Sequence, residues 1–302
     1  MSLLSVPLTA HEALSGVFGS VSLASWVFLL VPQLVENYKQ GSADGISLAF
    51  LTVWFVGDVT NLVGAVWAGL VPTVIALAIY FCFADLILIS QCVYYNLKNS
   101  RRARKTSTPS TDTVDAPLLG RRDSSNIGLP GSHRRDSQPS RRRRASSLPI
   151  IADAGAGGGE SIKNAMGVVG VCLVGAAGWA IAWKTGVWEP QPANEDAGEI
   201  ALGAQILGYA SALCYLGARI PQIIKNQREK SCEGLSLLFF MLSLLGNATY
   251  GAGILFHSLE KEYLITNLPW LIGSLGTMAE DVTIFIQFRA FGSAETTSAL
   301  EA

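Results

Sequence analysis

Val31-Pro32-Gln33-Leu34-Val35-Glu36-Asn37 returns 189 positions later, without a gap, as Ile220-Pro221-Gln222-Ile223-Ile224-Lys225-Asn226. At the same offset Ser42, Gly45, Ser47, Leu48 and Phe50 fall on Ser231, Gly234, Ser236, Leu237 and Phe239. Gly57, Thr60 and Gly64 likewise fall on Gly246, Thr249 and Gly253. The chain therefore carries two copies of one unit. The sequence around the copies is apolar: Ala13–Val35, Asn164–Trp183 and Gly234–Ser258 contain no Asp, Glu, Lys or Arg. Each stretch can cross a bilayer core of roughly 30 Å at about 1.5 Å per helical residue. Half of the 302 residues are hydrophobic and 15% are charged, and the mean hydropathy is positive. A soluble chain of this length would show polar stripes along its helices. These features define an all-α integral membrane protein.

Seven spans are expected, at about 12–34, 46–68, 72–96, 164–184, 200–224, 235–257 and 264–289. The second and third are parted by Gly69-Leu70-Val71-Pro72, a natural tight turn. The first twelve residues lack a basic region and a small-residue cleavage site, so the first span is expected to be a retained helix. Removing the central linker leaves two triplets joined by one helix, a 3+1+3 arrangement. The units are residues 1–97 (first bundle), 98–163 (linker), 164–184 (joining helix), 199–291 (second bundle) and 292–302 (tail). The odd joining helix restores a common orientation to two odd-numbered triplets. Lys39, Lys225, Arg228, Lys230 and the linker bases share one side, which the positive-inside rule makes cytosolic. The amino terminus is then lumenal and the carboxyl terminus cytosolic.

Residues 98–163 carry fourteen bases and six acids among Ser, Pro and Gly. Such a composition buries too little apolar surface to offset its chain entropy, and disorder is expected. Arg121-Arg122-Asp123-Ser124, Arg134-Arg135-Asp136-Ser137 and Arg143-Arg144-Ala145-Ser146 repeat within it. Phosphate on Ser124, Ser137 or Ser146 would cut the local positive charge and regulate the chain. Attraction of a basic linker to anionic lipid is the competing reading. Asp115-Ala116-Pro117-Leu118-Leu119 fits an acidic dileucine pattern for cytosolic sorting proteins. The five cysteines lie in spans or a cytosolic loop, so no disulfide framework, metal site or cofactor is expected. The three histidines are scattered, which leaves no Ser/His/Asp or Cys/His set and argues against an enzyme. No nucleic-acid partner is expected.

Polar residues inside the spans carry the chemistry. Pro32 and Pro221 free the carbonyls of Phe28 and Gly217 and act either as hinges or as static kinks. Gln33 and Gln222 stand ready to bond those carbonyls or a neighbouring helix. Asp58, Asp85, Glu280 and Asp281 interrupt apolar spans, where a charge costs a few kcal/mol unless paired or wet. Trp54, Asp58 and Asn61 share one face of the second span, and their repeat mates Ser243, Asn247 and Tyr250 share one face of the sixth. The two faces either line one midplane cavity or glue helices together. Arg219 can hold a carboxylate bidentately or snorkel to the cytosolic interface. Asp85 pairs with Asp281, and Gln91 with Gln287, once seven extra residues are allowed before the last span.

The doubled Pro-Gln at the ends of the first and fifth spans resembles the PQ-loop family over nearly all of the chain outside 98–163. Ala218-Arg219-Ile220-Pro221-Gln222-Ile223, Lys225-Asn226 and Ser231-Cys232-Glu233-Gly234-Leu235-Ser236 look most like its vacuolar and lysosomal cationic amino acid branch. The resemblance implies a carrier that exports Arg, Lys or His by alternating access, coupled to protons or to exchange. Its expected partners are an amino acid, protons and the lipid bilayer. Asp281-Val282-Thr283-Ile284-Phe285-Ile286-Gln287 is similar to a pattern in the last span of cystinosin, a member of the family, and implies a proton-coupling role for Asp281. Asp85 is the pseudo-symmetric alternative. A nutrient-sensing scaffold or receptor, or a carrier of cystine or another small solute, remain the other readings.

Overall fold

The computed structural model describes residues 8–41, 43, 48–106, 158–190, 201–232 and 237–300. All regular structure among them is helical: α1 (Ala10–Gln40), α2 (Leu48–Trp67), α3 (Pro72–Thr106), α4 (Gly158–Lys184), α5 (Leu202–Glu229), α6 (Leu237–His257) and α7 (Lys261–Leu300). Thr9 opens α1 with a reciprocal capping box: the Glu12 amide donates to Thr9 Oγ1 at 3.2 Å and the Thr9 amide to Glu12 Oε2 at 3.1 Å. Gly41 closes α1 at φ +60°, a conformation that glycine adopts without a Cβ penalty. The α2–α3 connection is the expected turn, with Gly69 at φ +64° and Pro72 as the first residue of α3.

Five described helices are long and apolar enough to cross a membrane: Ala10–Gln40, Leu48–Trp67, Pro72–Asn99, Ile162–Lys184 and Leu238–His257. The expectation covered seven. Helices α5 and α7 fall outside the group because they hold much of the buried polar chemistry: Gln205, Arg219, Gln222 and Asn226 in α5, and Asn267, Asp281 and Gln287 in α7. The distribution of side chains is inside-out. Met166, Leu173 and Ile181 of α4 and Phe83 of α3 are more than 60% exposed, while Ser22, Asp58, Ser243 and Asp281 are at or below 3%. That is the pattern of a chain solvated by lipid.

Helix α3 packs on both α1 and α2, and α7 packs on both α5 and α6. The most extensive contacts cross between the repeats, α1 against α6 and α2 against α5, while α4 lies on α1. Glycines at equivalent positions allow both crossings. A Cβ at Gly57 would meet Cys214 Cβ at 2.9 Å, and one at Gly246 would meet Trp26 Nε1 at 2.8 Å. Hydroxyls complete the α1–α6 seam, with Ser15 Oγ donating to the Gly253 carbonyl at 2.6 Å and Ser22 Oγ to the Gly246 carbonyl at 2.8 Å. Close approach through small residues with interhelical hydroxyl bonds is how helices associate without a hydrophobic driving force.

Several expected boundaries move. Helix α3 runs on through 98–106, which had been assigned to the linker, because Lys and Arg are good helix formers and no Gly or Pro intervenes before Pro109. Helix α4 begins at Gly158, inside the same segment. Helix α7 continues to Leu300, through most of the expected tail, along a stretch without proline. Pro269, expected near the start of the last span, sits inside α7, whereas Pro72 does begin α3. Ser124, Ser137, Ser146 and the dileucine pattern lie outside the described residues.

Candidate functional site: a hollow between the repeats

Six helices surround a cavity whose atom-free space, counted with its open mouth, is about 760 Å³. Trp54, Asp58 and Asn61 of α2 and Asn247 and Tyr250 of α6 line it, as the two polar faces had suggested. Asp85 of α3 and Arg219 of α5 line it too. Ser243 and Asp281 do not. Both are buried beside Arg219, where they fix its guanidinium.

That fixing is thorough. Arg219 Nε stands 3.3 Å from Asp281 Oδ1, and Nη2 donates to Ser243 Oγ at 3.0 Å. Ser243 Oγ donates in turn to Asp281 Oδ2 at 2.5 Å. The guanidinium carbon lies 5.4 Å from the Phe239 ring centre and 5.5 Å from that of Phe240. Arg219 is 3% exposed, so it does not snorkel: the Asp281 carboxylate of α7 holds it inside the bundle. The pseudo-symmetric positions in the first half hold Leu30 and Trp54 in place of Arg219 and Ser243. Among the described residues Asp85, the counterpart of Asp281, therefore has no matching cation beside it. It lies next to Asp58 instead.

Asp58 takes a hydrogen bond from the Tyr215 hydroxyl at 2.7 Å on Oδ1, while Oδ2 is buried with no donor among the described residues and the Asp85 carboxyl lies beside the group. Asn61 Oδ1 accepts from Trp270 Nε1 at 2.7 Å. Asn247 anchors its carbonyl on Ser274 Oγ at 2.7 Å, while its side-chain Nδ2 is buried and unpartnered. Sequence reasoning had missed Tyr215, Trp270, Ser211, Ser274, Thr277 and Trp26 as lining residues. The offset of 189 held the signal for two of them, since it maps Trp26 onto Tyr215. Glu280 is half-buried and does not line the hollow.

The Pro-Gln motifs lie beyond the hollow along α1 and α5. Both helices run through Pro32 and Pro221 unbroken. The glutamines do not bond the freed carbonyls. Gln33 Nε2 donates to Asn37 Oδ1 at 2.9 Å, and Gln222 Nε2 to Asn226 Oδ1 at 2.6 Å. Asn37 Nδ2 then donates to Gln91 Oε1 at 3.3 Å, and Asn226 Nδ2 to Gln287 Oε1 at 3.0 Å. Gln91 Nε2 closes on the Leu34 carbonyl at 3.1 Å, and Gln287 Nε2 on that of Ile223 at 3.1 Å. Two matching Gln-Asn-Gln clasps thus tie each proline-bearing helix to the third helix of its own repeat. The donor to the carbonyl two residues past each proline comes from a partner helix, which local sequence does not reveal.

Helices apolar and long enough to cross a membrane, and two repeats that enclose a hollow between them, define a polytopic membrane protein. The PQ loop repeat signature matches residues 14–74 and 203–263, and the chain belongs to the PQ-loop family. It is 38% identical over 297 residues to the vacuolar lysine transporter YPQ1 of Saccharomyces cerevisiae, covering 94% of this chain and 95% of that one. To the vacuolar histidine transporter YPQ3 of the same yeast it is 38% identical over 299 residues, covering 95% of each. The human lysosomal amino acid transporter 1 homolog is 29% identical over 289 residues, covering 94% of this chain and 84% of its own length.

Proposed function

We propose that this protein carries cationic amino acids (arginine, lysine or histidine) out of a vacuolar or lysosomal lumen by alternating access around the central hollow. One observation carries the reading. Asp58 and Asp85 line the hollow side by side, while the lining arginine is already matched by Asp281. A site with surplus buried carboxylate needs a cation to offset it. Relatives named for lysine, histidine and lysosomal amino acid transport support the same reading.

In this reading all seven helices span the membrane as two triplets and a joining helix, with a lumenal amino terminus and a cytosolic carboxyl terminus. Packing of α3 on α1 and α2, and of α7 on α5 and α6, supports the triplets. The clasped ends of α1 and α5 form the cytosolic gate, with Pro32, Gln33, Pro221 and Gln222 as its moving parts. We assign the exchangeable proton to the Asp58–Asp85 pair ahead of Asp281, because two adjacent carboxylates share a proton readily when no cation separates them. Purified protein in proteoliposomes with an inward-acidic gradient tests the whole: labelled lysine or arginine should move down the imposed driving force. Absence of movement for all three cationic amino acids rejects the assignment.

A further inference from the structure

Among the described residues two buried lining groups lack a partner of opposite character: Asp58, whose Oδ2 has no donor and whose carboxyl has only a second carboxyl, Asp85, beside it, and Asn247, whose Nδ2 has no acceptor; they sit at equivalent positions of the two repeats. Their hydrogen-bonding characters are opposite. An ionised carboxylate only accepts, whereas an amide can donate. Unpartnered buried polar groups are uncommon in folded chains, because each forfeits the hydrogen bonds it had in water. A ligand with a donor at one point and an acceptor at another satisfies both at once. The α-ammonium and α-carboxylate of an amino acid are such a pair.

We infer that Asp58 and Asn247 together read the main-chain zwitterion of the substrate, Asp58 taking the α-ammonium and Asn247 the α-carboxylate. This rests on the amino acid reading above and adds the orientation of the ligand. Tyr215 and Ser274 act as positioning residues: the first holds Asp58 through Oδ1 and the second holds the backbone of Asn247. Arg219 is not the carboxylate receptor, since Asp281 matches its charge and Ser243 takes its Nη2. Asp85 is then left for the cationic side chain, which explains why the hollow needs two acids. One repeat carries an acid at this position and the other an amide, which makes the pair directional.

Ligand analogues isolate each contact. Cadaverine is lysine without its carboxylate, and Nα-acetyl-lysine lacks the α-ammonium. Equilibrium binding of the three to purified full-length protein should give Asn247→Ala a loss of about 10- to 100-fold for lysine and almost none for cadaverine. Asp58→Asn should weaken lysine by a similar factor and leave Nα-acetyl-lysine nearly unchanged. Asn247→Asp should exclude lysine while cadaverine binds more tightly than to the wild type. Equal losses for lysine and cadaverine in Asn247→Ala overturn the assignment, as do equal losses for lysine and Nα-acetyl-lysine in Asp58→Asn. If the variants do not fold, the wild type still decides: cadaverine binding as tightly as lysine overturns the zwitterion reading. Wild-type protein that binds none of arginine, lysine and histidine fails the functional reading instead.

Discussion

Replacing Asp281 by Asn leaves the Arg219 guanidinium buried at 3% exposure without its ion-pair partner. At the observed 3.3 Å, two unit charges attract by about 5 kcal/mol at an effective dielectric of about 20. Removing one partner of such a pair costs about 3–5 kcal/mol, because the survivor cannot regain water. At a few degrees per kcal/mol, Tm in detergent should fall by roughly 6–20 °C. Arg219→Leu should be comparably damaging for the mirror reason, since Asp281 would keep only Ser243. The double variant Arg219→Leu/Asp281→Leu removes both charges and should return to within about 2 kcal/mol of the wild type. Thermal unfolding of all four proteins, followed by intrinsic fluorescence and fluorescence-detected size exclusion, completes the cycle. A double variant whose loss equals the sum of the single losses would refute the reasoning: the pair would then not be energetically coupled.

Tyr215→Phe removes the hydroxyl on Asp58 Oδ1 and should weaken lysine binding by about 10-fold, the worth of one hydrogen bond to a charged group; competition binding reads it, and unchanged affinity counts against Asp58 as a ligand. Asn37→Leu and Asn226→Leu each break one clasp, and each should cost about 1–3 kcal/mol because two glutamines lose a partner. Equal Tm losses at the two sites, additive in the double variant, would establish equivalence of the clasps. Gly57→Leu and Gly246→Leu should abolish folded protein on size exclusion, since atoms of α5 and α1 already occupy the space. Gly167→Ala and Gly170→Ala meet nothing within 4 Å and should be neutral or stabilising by up to about 1 kcal/mol.

The repeat and the apolar runs are written in the sequence because lipid enforces them residue by residue: each turn of a spanning helix must be apolar outside and self-bonded inside. The polar faces of α2 and α6 were legible for the same reason, since Trp54, Asp58 and Asn61 recur at helical spacing in otherwise apolar surroundings. Arg219 was legible as a candidate but not in its role. Its partners Ser243 and Asp281 are 24 and 62 positions away, and only the crossing of α5, α6 and α7 makes them neighbours. The completed clasps were hidden likewise, because the bonds from Asn37 and Asn226 to Gln91 and Gln287 depend on how α3 and α7 lie against the helices carrying proline. Tyr215 and Trp270 escaped notice because aromatic residues in a span read as ordinary lipid-facing bulk until something polar is found within reach.

The seam between α1 and α6 has a bearing on biogenesis. Ser22 bonds to Gly246, 224 residues further along the chain. At a synthesis rate of about 5–20 residues per second, the nascent first helix waits roughly 10–45 s for its mate. During that interval its serines face acyl chains or an insertion chaperone, and Asp58 has no Tyr215 to meet it. A copy truncated before the fifth helix never escapes that state, so cells should recognise and degrade it as an orphan, whereas supplying the missing half as a separate polypeptide should rescue it.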